Sequence, residues 1–260
     1  MPSRIPVTGF NASEHRAIER FLTARTVPLA YEGDGGPLVR GTGSFYRTGD
    51  DLFLVTAAHV LEGVDPSRLG VPDRPSGNVS IWNLDDIRVY HPKDTGNFDV
   101  AVVRFLNPNF IEHVVGSWEC VCESDVIVDT EGVEEFLIAG YPSETVLSQN
   151  GTLTPAPMLQ LFTKRFEGQV YPPALDYDLI LRYSRKAKAI FGDERSTPAL
   201  GGVSGALVYA KCQTEFTVWS PEALWRPIGI QISMKHDEYV RVKSWVLIHR
   251  LVELIREQGI

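Results

Sequence analysis

Short segments of alternating apolar and polar residues make up most of the chain, and they end mostly at Gly, Pro, Asp or Asn. This pattern is typical of β-strands joined by tight turns, because successive side chains of a strand point to opposite faces. Residues 62–76 are instead rich in Pro, Gly and charge and are predicted to form a surface loop. Strands are predicted over residues 27–31, 38–46, 52–55, 78–82, 87–91, 98–105, 125–130, 136–142, 158–164 and 179–183.

Helical periodicity occurs near both ends of the chain. Apolar residues share one face of residues 11–23, where Ser13 is the expected N-cap. They recur at helical spacing in residues 244–258, which include His249 as an expected surface residue. The patterns therefore predict a β-rich body with a short helix at each end.

The composition is that of an ordinary globular protein, with 43% hydrophobic and 22% charged residues. A net charge of -8 argues against nucleic acid or an anionic membrane as a partner, because both attract basic surfaces. The amino-terminal residues lack the apolar stretch of a signal peptide, and no run approaches the roughly 18 apolar residues of a membrane span. We therefore expect a cytoplasmic protein.

Cys120, Cys122 and Cys212 are the three cysteines, too few for a disulfide framework. A single residue separates Cys120 from Cys122, which does not match the spacing of structural zinc sites, and no suitable His or Cys pair follows. We therefore expect neither a metal nor a cofactor.

Three residues offer catalytic chemistry, and each also has an ordinary structural interpretation. His59 follows an apolar run and three small residues, so it is either a base at the edge of a core or a structural histidine that caps a strand. Asp99 opens an apolar strand, where it pairs with another group or binds local backbone N–H groups. Ser204 lies in a glycine-rich segment that forms either a loop with converging N–H groups or a common turn.

Two other families of site do not fit the Ser204 segment. No Gly-Lys-Ser or Gly-Lys-Thr follows the glycines, which excludes a P-loop. An α/β-hydrolase elbow requires a helix after the serine. The apolar run that follows Ser204 predicts a strand instead, and the histidine comes earlier in the chain.

His59, Asp99 and Ser204 occur in the chain order His, Asp, Ser. The segments GTGSFY, LVTAAHV, DVAVVRF and GGVSGALVY resemble the trypsin-like (chymotrypsin-fold) serine peptidases, especially bacterial stand-alone and HtrA-type members. In that family the histidine follows Thr-Ala-Ala and the serine lies in a Gly-x-Ser-Gly turn. The resemblance covers most of the chain, although residues 1–24 and 62–76 have no counterpart.

The resemblance implies an all-β fold of two packed six-stranded antiparallel β-barrels with the active site between them. It predicts an N-terminal helical extension (1–26), a first barrel with His59 and Asp99 (27–108), a second barrel with Ser204 (109–243) and a C-terminal helix (244–260).

The same resemblance implies a serine endopeptidase that forms an acyl-enzyme with a protein or peptide substrate. His59 would be the general base, Asp99 would hold its imidazole, and the N–H groups of Gly202 and Ser204 would bind the oxyanion. Val203 stands where secreted zymogens carry the aspartate of their activating ion pair. We therefore expect regulation by a protein partner or by ordering of the Ser204 loop.

The resemblance also implies a substrate pocket formed by Thr197, Pro198, Ile232, Ser233 and Met234. With Pro198 at its base, no acid is available to select Arg or Lys, and Met234 stands where many members have glycine. A small or apolar residue is expected before the cleaved bond. The alternative is a catalytically silent binding or scaffold module, because a fold does not by itself imply activity.

Overall fold

Two curled antiparallel sheets, one from each half of the chain, form the body of the protein. With a short helix at each end, they confirm the predicted all-β fold class. The computed structural model describes residues 9–33, 36–75, 81–83, 86–92, 95–145, 147–149, 152–154, 158–188, 194–212, 219–235 and 237–258.

The first sheet contains the strands that flank His59 and Asp99. Its strands are β1 (Val27–Gly33), β2 (Gly36–Thr48), β3 (Asp51–Thr56), β4 (Leu69–Pro72), β5 (Ile81–Asn83), β6 (Ile87–Tyr90), β7 (Ala101–Phe105) and β8 (Val121–Cys122). They pair in the order β5-β4-β1-β2-β3-β7-β6, and the short β8 lies parallel to β2. This order places β3, which leads to His59, directly beside β7, which follows Asp99.

The second sheet carries the Ser204 turn. Its strands are β9 (Phe136–Gly140), β12 (Leu159–Thr163), β13 (Asp178–Arg182), β16 (Leu207–Lys211), β17 (Trp225–Lys235) and β18 (Tyr239–Ser244), and they pair in the order β12-β9-β16-β17-β18-β13. Two separate hairpins are β10 (Leu147–Gln149) with β11 (Thr152–Thr154), and β14 (Lys186–Lys188) with β15 (Glu194–Ser196).

The helices are α1 (Ala12–Arg25), α2 (Ala58–Leu61), α3 (Thr95–Phe98), α4 (Pro108–Ser117), α5 (Pro221–Leu224) and α6 (Trp245–Glu257). The N-cap of helix α1 is Asn11, two residues before the expected Ser13. Asn11 forms a reciprocal capping box with Glu14. Ser244 caps α6. No helix in the described ranges is long and apolar enough to cross a membrane.

Two local predictions from the sequence are corrected, and a third lies partly outside the described residues. The segment 62–76 is not loop throughout, since its apolar residues 69–72 form the buried strand β4 beside β1. Residues 125–130 do not form a strand: a 3-10 turn ends at Asp125, and the N–H of Ile127 donates to the carbonyl of Pro227 at 3.0 Å. Part of the predicted strand 78–82, residues 78–80, lies outside the described residues.

The Pro108 break between the two halves begins a helix. The side chain of Asn107 accepts hydrogen bonds from the N–H groups of Asn109 and Phe110, which caps α4. Phe110 stacks on Phe105 of the first sheet, with ring centroids 4.6 Å apart. Helix α4 and β8 thus pack with the first sheet although they follow residue 108, and the domain boundary stays a prediction.

Thr42 of β2 joins the two sheets from a fully buried position. Its hydroxyl donates to the carbonyl of Gly202 at 2.7 Å and accepts the N–H of Tyr141 at 3.1 Å. Its backbone N–H donates to the carbonyl of Ser204 at 2.9 Å, and its carbonyl accepts the hydroxyl of Thr56 at 2.7 Å. One residue therefore satisfies polar groups on both sides of the boundary between the halves.

Replacing Thr42 with valine is expected to lower the free energy of unfolding by about 3 kcal/mol, because the shape is kept while two buried backbone groups lose their partner. Chemical denaturation measures the change. Thr48→Val is the matched control on the same strand: its hydroxyl contacts only Arg256 at 3.3 Å in the described residues, so a change below about 0.5 kcal/mol is expected. Equal effects of the two substitutions would contradict this role of Thr42.

Candidate active site

His59 projects from a single helical turn that follows β3. The strand ends at Thr56, and α2 begins at once, so the imidazole leaves the sheet with 44% of its side chain exposed. Val60 of the same turn packs against Gly41, where a Cβ would overlap its side chain. The absence of a side chain at Gly41 therefore allows the turn to lie flat against the first sheet.

Asp99 lies beside His59 because β3 and β7 are neighbours. Thr56 pairs with Ala101, so the residues just beyond each strand end meet at the same edge of the sheet. The sequence predicted that Asp99 opens the strand, whereas in the structure Asp99 lies two residues before β7. Its carboxylate is 17% exposed.

Two hydrogen bonds connect this pair. The backbone N–H of His59 donates to Oδ1 of Asp99 at 2.9 Å, and the ring nitrogen Nδ1 lies 2.7 Å from Oδ2. Because a carboxylate accepts hydrogen bonds and does not donate them, the proton belongs on Nδ1 of the neutral ring, and Nε2 then carries a lone pair. The ring is both oriented and held in the tautomer that can accept a proton at Nε2.

The Ser204 turn leaves two backbone donors unused. The N–H groups of Val203, Gly205 and Ala206 donate to the carbonyls of Leu200, Gln231 and Val203, at 2.7–3.0 Å. In the described part of the chain, the N–H groups of Gly202 and Ser204 have no hydrogen-bond acceptor. Two donors, two residues apart, are thus available to a negatively charged oxygen.

Gly202 has a backbone conformation that few other residues adopt. Its φ is +86°, and a Cβ there would lie 2.6 Å from the N–H nitrogen of Ser143 and 2.7 Å from the carbonyl oxygen of Tyr141. Both neighbours are backbone atoms that cannot move aside easily. The pair of free N–H groups therefore depends on glycine at this position.

The turn also packs against the segment that leads to His59. Gly205 has a φ of +90°, and a Cβ there would overlap Thr42 and Thr56 and lie 3.0 Å from the backbone nitrogen of Ala57. The structure thus brings Ser204 to the sheet of His59 and Asp99. Within the described residues, however, no hydrogen bond joins the His59 ring to the Ser204 hydroxyl.

A cavity of about 570 Å³ opens beside His59 and Asp99. Ile232 and Ser233, two of the predicted substrate-binding residues, line it. Sequence reasoning missed most of its other lining residues, which come from separate parts of both halves: Val89, His91, Asn97, Pro172, Pro173, Leu175, Arg241 and Lys243. The alternation of Val240, Arg241, Val242 and Lys243 was the available signal, because it places both cations on one face of β18.

The other predicted pocket residues do not line this cavity. Met234 is partly buried against the second sheet's core. Thr197 binds the segment before β14: its N–H donates to the carbonyl of Arg185 at 2.7 Å, and its hydroxyl donates to that of Ser184 at 2.9 Å. The carbonyl of Pro198 accepts a hydrogen bond from Tyr183 at 3.4 Å. Their role in substrate binding stays a prediction.

The cysteines are poorly suited to compete with Ser204 as nucleophiles. Burial, with a smaller contribution from Cys122, raises the pKa of Cys120 to about 11. Burial also raises the pKa values of Cys122 and Cys212. A thiol with a raised pKa is protonated at neutral pH and is a weak nucleophile.

The fold of this chain occurs among solved structures. No family model matches it, and no curated protein matches it. Among solved structures it is similar to the scabies mite inactivated protease paralogue S-I1, with a TM-score of 0.56, 11% identity and coverage of 92% of this chain and 96% of that chain. At this identity the likeness concerns the fold alone.

A second similar structure comes from work on the coupled folding and binding of the intrinsically disordered Sesbania mosaic virus VPg protein. It has a TM-score of 0.49 and 13% identity, with coverage of 86% of this chain and 87% of that chain.

Replacing Asp99 with asparagine is expected to move the His59 proton from Nδ1 to Nε2. The amide can still accept the backbone N–H, but its NH2 group then faces Nδ1, which must supply a lone pair. Nitrogen NMR shifts, measured at a pH where the ring is neutral, report the tautomer. His249 is the internal control, because its Nε2 lies 3.3 Å from Oε1 of Glu253 and it does not contact Asp99 in the described residues. A proton that stays on Nδ1 in the variant would overturn the inferred tautomer.

Proposed function

We propose that the protein is a serine endopeptidase in which Ser204 is the nucleophile, His59 the general base and Asp99 the residue that orients it. The observation that carries the proposal is the double hydrogen bond from His59 to Asp99, which leaves Nε2 as an acceptor. The unused N–H groups of Gly202 and Ser204 support it as an oxyanion site. The proposal extends to a protein or peptide substrate, the cytoplasmic setting and the kinship with bacterial HtrA-type members.

The proposed reaction proceeds in two steps. Oγ of Ser204 attacks the scissile carbonyl carbon while its proton moves to Nε2 of His59. The resulting oxyanion accepts hydrogen bonds from the free N–H groups of Gly202 and Ser204. The C–N bond then breaks, and His59 returns the proton to the leaving amine. In the second step a water molecule gives a proton to His59 and attacks the ester carbonyl carbon. The bond between that carbon and Oγ then breaks, His59 returns the proton to Oγ, and the carboxylic acid leaves, which restores Ser204 and His59.

A second candidate is a binding or scaffold module of the same fold. The lack of a hydrogen bond between His59 and Ser204 in the described residues favours it, and the similar scabies mite protein is named as an inactivated protease paralogue. The same observation agrees with a resting enzyme whose Ser204 turn shifts when a partner binds. Val203, which cannot form the activating ion pair of zymogens, motivates this regulated form.

Labelling with a fluorophosphonate probe distinguishes the candidates. We expect wild-type protein to form a covalent adduct at Ser204 and Ser204→Ala to form none, because the probe reacts only with an activated hydroxyl. Ser124→Ala, which alters an exposed serine outside the lining of the cavity beside His59, is the control and should label fully. Intact-mass spectrometry measures the adduct. Folded wild-type protein that never labels, alone or with cell extract added, would favour the scaffold module.

The oxyanion site is tested by comparing two adjacent glycines. Gly202→Ala should lower peptide hydrolysis by about 10²–10³-fold, because its Cβ would displace the peptide whose N–H binds the oxyanion. Gly201→Ala should remain close to the wild-type rate, since its Cβ would meet only the hydroxyl of Ser143, at 3.3 Å. Circular dichroism confirms that both variants are folded. Equal rates for both variants would exclude Gly202 from oxyanion binding.

A further inference from the structure

The cavity beside His59 has a cationic floor. Arg241 and Lys243 both line it, and they lie two residues apart on β18, so their side chains leave the same face of the strand. Their side chains are only 9% and 2% exposed. Cations buried this deeply normally have matching carboxylates, because an unpaired buried charge is costly.

One carboxylate serves both cations. Nζ of Lys243 donates to Oδ1 of Asp178 at 2.5 Å, and Nη1 of Arg241 donates to Oδ2 of the same residue, whose side chain is fully buried. Two other acids line the cavity. Asp99 keeps its charge, but both of its oxygens accept hydrogen bonds from His59 and neither binds Arg241 or Lys243 in the described residues. Glu62 is exposed to solvent, where its charge is screened. The floor itself therefore has two positive charges against one negative charge.

Hydrogen-bond donors also outnumber acceptors at this floor. An ammonium group has three N–H donors, and in the described residues Lys243 uses one of them on Asp178, while the ring of Phe98 lies 5.8 Å from Nζ. The remaining Arg241 bonds go to the carbonyls of Pro172 and Pro173, and its Nε has no acceptor within the described residues. A group that enters the cavity and accepts several hydrogen bonds would complete the set.

We propose that this cavity is a subsite for an acidic side chain, Asp or Glu, of a polypeptide that lies in the cleft. The proposal rests on the proposed peptidase function only in that a polypeptide is the ligand. A carboxylate supplies the missing negative charge and up to four acceptor positions for Lys243 and Arg241. Val89, Leu175 and Ile232 line the same cavity and would pack against the methylene groups of the side chain.

The test measures binding and needs no catalysis. In the Ser204→Ala variant, acetylated tetra-alanine amides carrying one glutamate or one glutamine at each position in turn are titrated and followed by NMR. At one position the glutamate peptide should bind about tenfold or more tightly than its glutamine partner, since hydrogen bonds to charged groups are stronger than neutral ones. The preference should weaken as salt is added.

Variants then assign the preference to the cavity floor. Lys243→Met should abolish the difference between the glutamate and glutamine peptides, while Lys235→Met should keep it, because Lys235 is half exposed, pairs with Glu238 and lies outside the cavity lining. Arg241→Gln removes the other cation and should also reduce the difference. It replaces Lys243→Met if that variant does not fold.

Equal affinities for the glutamate and glutamine peptides at every position would overturn the proposal and leave the three charged side chains as a purely structural cluster. A preference that survives in folded Lys243→Met and Arg241→Gln would also overturn it, by placing the acid elsewhere. Failure of the peptidase function itself would appear separately, as wild-type protein that does not react with the fluorophosphonate.

Discussion

The arrangement of the site depends on the hydrogen bonds of Thr42. Two sheets that meet only through apolar side chains can slide, because dispersion contacts have little directional preference. Thr42 adds direction: its backbone and hydroxyl bind Ser204, Gly202 and Tyr141 of the second half, and its carbonyl binds Thr56 of the first. The serine turn is therefore held in register with the strand that leads to His59.

The pairing of β3 with β7 is the second constraint, and it accounts for the geometry of His59 and Asp99. Neither side chain needs a long loop to reach the other, because the Thr56–Ala101 pair brings the two strand ends together. The short turn of α2 then presents the backbone N–H and the ring nitrogen of His59 to one carboxylate. A rigid sheet edge thus does the positioning that exposed loops would do less reliably.

The buried charges of Asp178, Arg241 and Lys243 set this cleft apart from an apolar one. Apolar residues of similar volume at these positions would often give equal or greater stability, because desolvating ions is costly. The cluster lies at the floor of the cavity that also contains His59 and Asp99, where an excess of donors can act on a bound chain. The charges therefore bear on ligand selection more directly than on the stability of the sheet.

The sequence by itself determined most of the strand pattern, the two terminal helices and the order of His59, Asp99 and Ser204, because periodicity and glycine-rich turns are local properties. It could not reveal strand β4 within a Pro- and Gly-rich segment, or helix α4, which follows its N-cap Asn107. Both elements depend on partners outside their own segments, through strand pairing for β4 and side-chain packing for α4. Tertiary structure alone decided that His59 meets Asp99, that Thr42 binds the serine turn and that Arg241 and Lys243 share Asp178. These contacts join residues that are 40 to 162 positions apart in the chain. Only the folded arrangement of the sheets brings such residues together.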